Sequence, residues 1–192
     1  MFILASQSPR RRELLSMLGL EFEIITADID ETMDESLSVE DAVAEISRKK
    51  AEAVGKNNPG RLIVSADTIV TVEGKVLGKP HSEEEAKAML QSLSGRSHTV
   101  MTAICLYRDG EAKTQVEKTD VVFKRLSDEE IEAYIATGSP MDKAGAYGIQ
   151  DLAAVFVEAL QGDYYNVMGL PLCALVKQLR AYGVPVLGTV KP

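Results

Sequence analysis

The stretch Phe2-Ile3-Leu4-Ala5-Ser6-Gln7-Ser8-Pro9-Arg10-Arg11-Arg12-Glu13-Leu14-Leu15 decides the fold, because it passes from an apolar strand directly into a helix. Pro9 suits the first helical position, where its missing N–H would have had no partner, and Gly19 suits the cap after a helix over Arg10–Leu18. Three arginines fall in the first turn. The partial positive charge at that end of a helix disfavours cations by roughly 0.3–1 kcal/mol each. Either the turn is simply solvated, or an anion offsets the charge. The natural anion is a phosphate chain, taken by backbone N–H groups, by the hydroxyls of Ser6 and Ser8 and by guanidinium forks.

Outward from this unit the β/α order continues. Ser38-Val39-Glu40-Asp41 opens a helix whose apolar stripe, Val39, Ala42, Val43, Ile46, Ala53 and Val54, ends near Gly55. Leu62–Val70 reads as a strand with a short return to Leu77 after a turn at Glu73-Gly74. Ser82-Glu83-Glu84-Glu85 and Ser127-Asp128-Glu129-Glu130 are capping boxes, one for a helix stopped by Gly95 and one for a helix ending at Gly138-Ser139-Pro140. His98–Tyr107 and Thr114–Phe123 flank Arg108-Asp109-Gly110-Glu111 and predict a long antiparallel hairpin. Asp142–Gln150 has no clean period, and two glycines frame its tyrosine, which suits a functional loop. A strand over Ala153–Leu160, a turn at Gly162-Asp163 and a helix from Pro171 to Tyr182 complete the pattern. Helices alternating with both isolated strands and hairpins imply an α/β fold with a mixed sheet and flanking helices.

At 192 residues and 45% hydrophobic, the chain suits one sizeable domain, or one domain with two lobes. No apolar run reaches the roughly 18–20 residues of a bilayer span, and Met1-Phe2-Ile3-Leu4 lacks the makings of a signal peptide, so a cytoplasmic protein with no membrane partner is expected. A net charge of −8 argues against a nucleic-acid partner and sharpens the local arginine cluster. Cys105 and Cys173 lack metal spacing and read as reduced core thiols, and two histidines are too few for a histidine-built metal site. Dinucleotide, Walker, Cys-x-x-Cys and Gly-x-Ser-x-Gly signatures are all missing.

Asp67 stands inside an apolar strand, where an unpaired charge is expensive, so it needs a partner. It is either a general base or ligand to a hard cation, or an acid satisfied by a turn or salt bridge. Lys50 falls on the apolar stripe of its helix, there to snorkel or to reach an anion. Lys79 sits in the rigid loop Gly78-Lys79-Pro80. The acidic loop Asp28, Asp30, Glu31, Asp34 and Glu35 could lend a metal ligand. Gln150 offers an amide to a base edge, or pairs with backbone.

Ala5-Ser6-Gln7-Ser8-Pro9-Arg10-Arg11, Ala66-Asp67-Thr68, Gly78-Lys79-Pro80, Leu93-Ser94-Gly95-Arg96-Ser97-His98, Asp142–Gln150 and Gly162-Asp163-Tyr164-Tyr165 with Gly169-Leu170-Pro171 together resemble the Maf family of nucleoside triphosphate pyrophosphatases, first linked to septum formation. The resemblance spans nearly the whole chain, 1–192 as one domain, and implies a fold like that of inosine triphosphatases, with two lobes around a central cleft. It implies hydrolysis of dTTP, UTP and modified uridine triphosphates to monophosphate and pyrophosphate, a Mg or Mn ion, and a homodimer. By the same resemblance Arg10, Thr68 and Gln150 mark the dTTP/UTP branch, and Asp67 matches the proton acceptor. Ser6, Arg11, Lys50 and Lys79 match phosphate positions, and Glu31 joins Asp67 at the metal. One departure is Gln150-Asp151-Leu152-Ala153, where relatives usually carry glycine after the glutamine. The rival reading is a nucleotide-binding regulator of division that does not turn over.

Overall fold

The computed structural model describes residues 1–188. Strand β1 (Phe2–Leu4) leads into α1 (Pro9–Met17), with Pro9 at the start of the helix and Gly19 at positive φ after it. The sequence pattern is silent on β2 (Phe22–Ile24), a short, half-exposed strand that pairs parallel to β1. Helix α2 (Val39–Gly55) begins where Ser38 accepts a hydrogen bond from the Asp41 N–H at 3.1 Å. It buries Ala42, Val43, Ile46 and Val54 of the predicted stripe, with Val39 and Ala53 half-buried and Ser47 and Ala51 buried beside them. β3 (Ile63–Val72) runs parallel to β1 and turns back antiparallel into β4 (Lys75–Leu77). α3 (Glu83–Leu93) and α4 (Asp128–Ile135) follow their serine caps, with both halves of the capping box formed at Ser127 and Glu130. β5 (Ser97–Arg108) and β6 (Glu111–Phe123) are joined through Asp109 and Gly110, both at positive φ, as a tight hairpin turn requires. The last helices are α5 (Tyr164–Val167) and α6 (Leu172–Ala181).

The expected strand over Ala153–Leu160 is corrected. Leu152–Phe156 is a 3-10 helix, and strand β7 covers only Val157–Gln161. Asp151 caps the helix through the Ala153 N–H, and Ala153 and Phe156 are buried while Leu152 and Val155 face solvent. That is a period of three, not two. The sheet is mixed, with seven strands in the order β2-β1-β3-β5-β6-β7, and β4 attached to β3.

The chain divides into two compact units. The first comprises Met1–Asp67, Thr102–Glu117 and the chain from Gly169, and its core includes Ile3, Ala51, Val54, Ile63 and Cys105. The second comprises Thr68–Met101 and Lys118–Met168, with Leu90, Val100, Phe123, Ile131, Tyr147 and Phe156 at its centre. Cys105 is the core thiol predicted, with burial pushing its pKa up, whereas Cys173 is exposed on α6 and is corrected. Among the described residues, no helix is long and apolar enough to cross a membrane.

Candidate active site

In the first unit the three arginines separate by role. Arg12 is exposed and Arg10 half-buried, while Arg11 is buried. Its Nε donates to the Gly169 carbonyl at 2.7 Å, and its Nη1 donates to Ser6 Oγ at 3.0 Å. Burial lowers the Arg11 pKa, the fields of Asp67 and Glu31 oppose that shift, and neighbouring Arg10 adds to it. A solvated basic turn therefore does not describe Arg11. Ser8 stands at the N-cap without making a side-chain cap, so of the two serines it is Ser6 that is built in, accepting also from the Ser8 N–H at 3.3 Å.

Asp67 has the partner its place in β3 demands. Lys50 Nζ donates to Asp67 Oδ1 at 2.7 Å and to Glu31 Oε2 at 2.7 Å, with the Lys50 and Asp67 side chains each 15% exposed and Glu31 57%. Lys50 thus reaches anions, while Lys49, one position earlier, pairs with Glu45 along the helix. Two fully buried serines align the elements that carry this pair. Ser65 Oγ donates to the Ser47 carbonyl at 2.6 Å, and the two hydroxyls lie 3.2 Å apart. Ser47 is one helical turn from Lys50, and Ser65 lies on the same strand face as Asp67. In the acidic loop, Asp30 and Asp34 cap local turns through the Thr32 and Ser36 N–H groups, and hydrogen bonds hold both carboxyls below their usual pKa range.

Glu31 and Asp67 converge on one cation, the Lys50 ammonium. Their oxygen donors suit a hard divalent ion such as Mg²⁺ or Mn²⁺. Among the described residues no group of three or more His, Cys, Asp or Glu side chains is placed to hold a metal. Further ligands would be substrate oxygens and water, the usual arrangement for Mg²⁺.

Thr68, Lys79 and Gln150 belong to the second unit. Thr68 is half-buried next to Asp67 in sequence, and Lys79 and Gln150 are exposed. The Gly78 carbonyl accepts from the Gly145 N–H at 3.0 Å, so the loop carrying Lys79 is fastened to the loop ending at Gln150. Gly145 has φ +69°, and a Cβ there would stand 3.0 Å from Val70. Ala146, buried and without glycine's freedom, also has positive φ at 60°. Strain of this kind persists where surrounding structure over-determines a segment. Tyr147 anchors the loop inside, its hydroxyl 2.7 Å from His98 Nε2 and its ring edge-on to Phe123. His98 closes the stretch Leu93-Ser94-Gly95-Arg96-Ser97-His98, which does not by itself point to Tyr147 as its partner. Tyr134, Ser139, Lys143 and Asp151 also gather around this loop, and sequence spacing alone does not link them.

Residues 1–182 match the family described as Maf-like protein. A Bacillus cereus protein named dTTP/UTP pyrophosphatase is 48% identical over 184 residues, 96% of each chain. A Bacillus anthracis protein of the same name is 47% identical with the same coverage. The solved structure of the Staphylococcus aureus Ham1 protein superposes with a TM-score of 0.55 at 15% identity, covering 94% of this chain and 98% of that one, and shares the expected α/β architecture. A match over nearly the whole length, joined to close relatives, places this chain in the Maf family.

Proposed function

We propose that this protein is a nucleoside triphosphate pyrophosphatase that hydrolyses dTTP, UTP and modified uridine triphosphates to the monophosphate and pyrophosphate. The observation that carries the reading is the charge cluster of the first unit, in which Lys50 bridges Asp67 and Glu31 within the field of buried Arg11. Relatives 46–48% identical and named dTTP/UTP pyrophosphatase support the same activity. A divalent cation, when bound by Glu31 and Asp67, supplies Lewis-acid stabilisation of charge on the phosphates. Asp67 accepts a proton from the attacking water. Arg11 and Lys50, with Lys79 of the second unit, bind the triphosphate and offset charge on the departing pyrophosphate, and Ser6 orients Arg11. Arg10, Thr68 and Gln150 recognise the base. Cytoplasmic residence and a homodimer belong to the same proposal. The dimer is supported by family membership and by the exposed apolar Leu152 and Val155 just before β7 at the sheet edge, and sedimentation tests it.

The test measures pyrophosphate release from dTTP and UTP with added Mg²⁺ or Mn²⁺. Asp67→Asn should lose about 10²–10⁴-fold in kcat, the range of a positioned general base. Undiminished turnover removes Asp67 from the chemistry, and orthophosphate as product refutes the reaction. Tight binding without product favours the regulator.

A further inference from the structure

Gln150 stands at a turn that is closed twice. The Asp151 N–H donates to the Gly148 carbonyl at 3.1 Å, closing the turn through the backbone. A second closure runs through side chains. The Gly148 N–H donates to Tyr134 Oη at 3.2 Å, and the Tyr134 hydroxyl donates to Asp151 Oδ1 at 3.1 Å. The residues on either side of Ile149 and Gln150 are thereby tied to one phenol. Asp151 is the hub. Its Oδ1 also accepts from the Ala153 N–H at 3.0 Å, and its Oδ2 accepts from Ser139 Oγ at 2.7 Å and pairs with Lys143 Nζ at 3.4 Å. Both carboxylate oxygens are spent on this network, so Asp151 has little capacity left for a ligand.

Gly148 is what lets the ring close. A Cβ there would lie 2.5 Å from Asp151 Oδ2 and 2.7 Å from Lys143 Cε. Tyr134 is itself held by its ring against Phe156, with centroids 5.3 Å apart. Burial pushes its hydroxyl up to about 12, so it remains a donor at any working pH. Gln150, in contrast, is exposed. A free amide on a flexible turn pays ordering entropy when it meets a ligand, and one on a pinned turn pays far less. A base edge is discriminated by donors and acceptors that cannot shift to suit the wrong partner.

We infer that Asp151 and Tyr134 are positioning residues for base selection, holding the Gln150 turn so that its amide meets a pyrimidine edge bearing the uracil or thymine pattern. The inference rests on the proposed pyrophosphatase reading for the identity of the ligand and for Gln150 as a residue that meets the base. The experiment compares wild type, Tyr134→Phe, Asp151→Asn and the double variant. It measures kcat and KM for UTP and CTP, UMP and CMP binding by calorimetry, and melting temperature. Tyr134→Phe removes one hydroxyl and keeps the ring. Either single change should lower the UTP-over-CTP preference in kcat/KM about tenfold, the scale of one hydrogen bond to a charged group, mostly through KM. The double variant should lose little more, because both act through one ring of contacts. An unchanged preference in folded single variants overturns the inference, even if their melting temperatures fall. So does a uniform fall in kcat for both nucleotides. If wild type releases no pyrophosphate, the proposed activity fails, and the monophosphate preference then decides the positioning role by the same two outcomes.

Discussion

Lys50 and Lys143 are withdrawn from solvent to nearly the same degree, with side chains 15% and 11% exposed, and each meets two carboxylates, but Lys143 is also held by a backbone carbonyl. Lys50, in the first unit, rests on two carboxylates, one of them largely exposed. Lys143, in the second, donates to the Ser139 carbonyl at 2.6 Å and to Asp142 at 2.7 Å, with Ser139 Oγ at 3.3 Å and Asp151 at 3.4 Å. A backbone carbonyl cannot leave, but a mobile carboxylate can be exchanged for a phosphate oxygen. The first arrangement therefore suits a binding charge and the second an architectural one.

The largest effect that could break this contrast is on turnover. Lys50→Met should cut kcat/KM for UTP by about 10²–10³, the loss seen when one preorganised donor to transition-state charge is removed. The melting temperature should fall as well, because exposed Glu31 can turn to water but Asp67, 15% exposed, loses the partner its place in β3 demands. A folded variant with full activity would make Lys50 a structural ion-pair member like Lys143.

The second unit differs again at its centre, where polarity is kept neutral. His98 is 3% exposed, its Nδ1 has no hydrogen-bond partner, and burial lowers its pKa to about 4, with Asp120 opposing weakly. Its folded pKa lies below the unfolded value of about 6.5. The unfolded chain therefore binds more protons between these values, and stability that is complete above pH 6.5 is lost as pH falls toward 4. The expected loss at pH 4 is about 3 kcal/mol, read from urea midpoints. His98→Leu should be less stable at pH 7, since Tyr147 loses its partner, but its stability should fall less between pH 6.5 and 4. An equal slope in both proteins would assign the acid sensitivity elsewhere.

Much of this was legible before any coordinates. Caps at Ser38, Ser82 and Ser127 and the turn Asp109-Gly110 are local chemistry, written in adjacent residues. Asp67 announced itself as a charge in an apolar strand, and Lys50 as a cation on an apolar stripe. Their pairing joins residues 17 apart, and the spacing alone left Lys50 open between an anion and solvent. β2 escaped notice because three half-exposed residues show no period. Leu152–Phe156 misled because its apolar residues suit a strand until Asp151 is seen capping it. The Tyr134, Ser139, Lys143 and Asp151 network was illegible for another reason: its members are ordinary helix and loop residues until α4 and the loop are packed together. A tyrosine on the buried face of α4 was the one hint, since a buried hydroxyl requires a partner.

The smallest expected effect closes the comparison from the other lysine. Lys143→Met keeps the length of the aliphatic stem but removes donors to the Ser139 carbonyl and to two carboxylates. Asp142 is exposed enough to recover water, and Asp151 retains Tyr134, Ser139 and the Ala153 N–H. What is lost outright is the bond to a half-buried carbonyl and part of the neutralisation of Asp151, about 2 kcal/mol together. For a chain of this size that corresponds to a melting temperature lower by roughly 4–8 °C. Turnover at saturating UTP should stay within about twofold of wild type, because Lys143 faces a carbonyl and acids that already occupy its donors. Lys50→Met should thus be marked by its loss of rate, and Lys143→Met by a loss of stability with the rate kept. A collapse of kcat in folded Lys143→Met would place that ammonium on the substrate and erase the distinction between the two lysines.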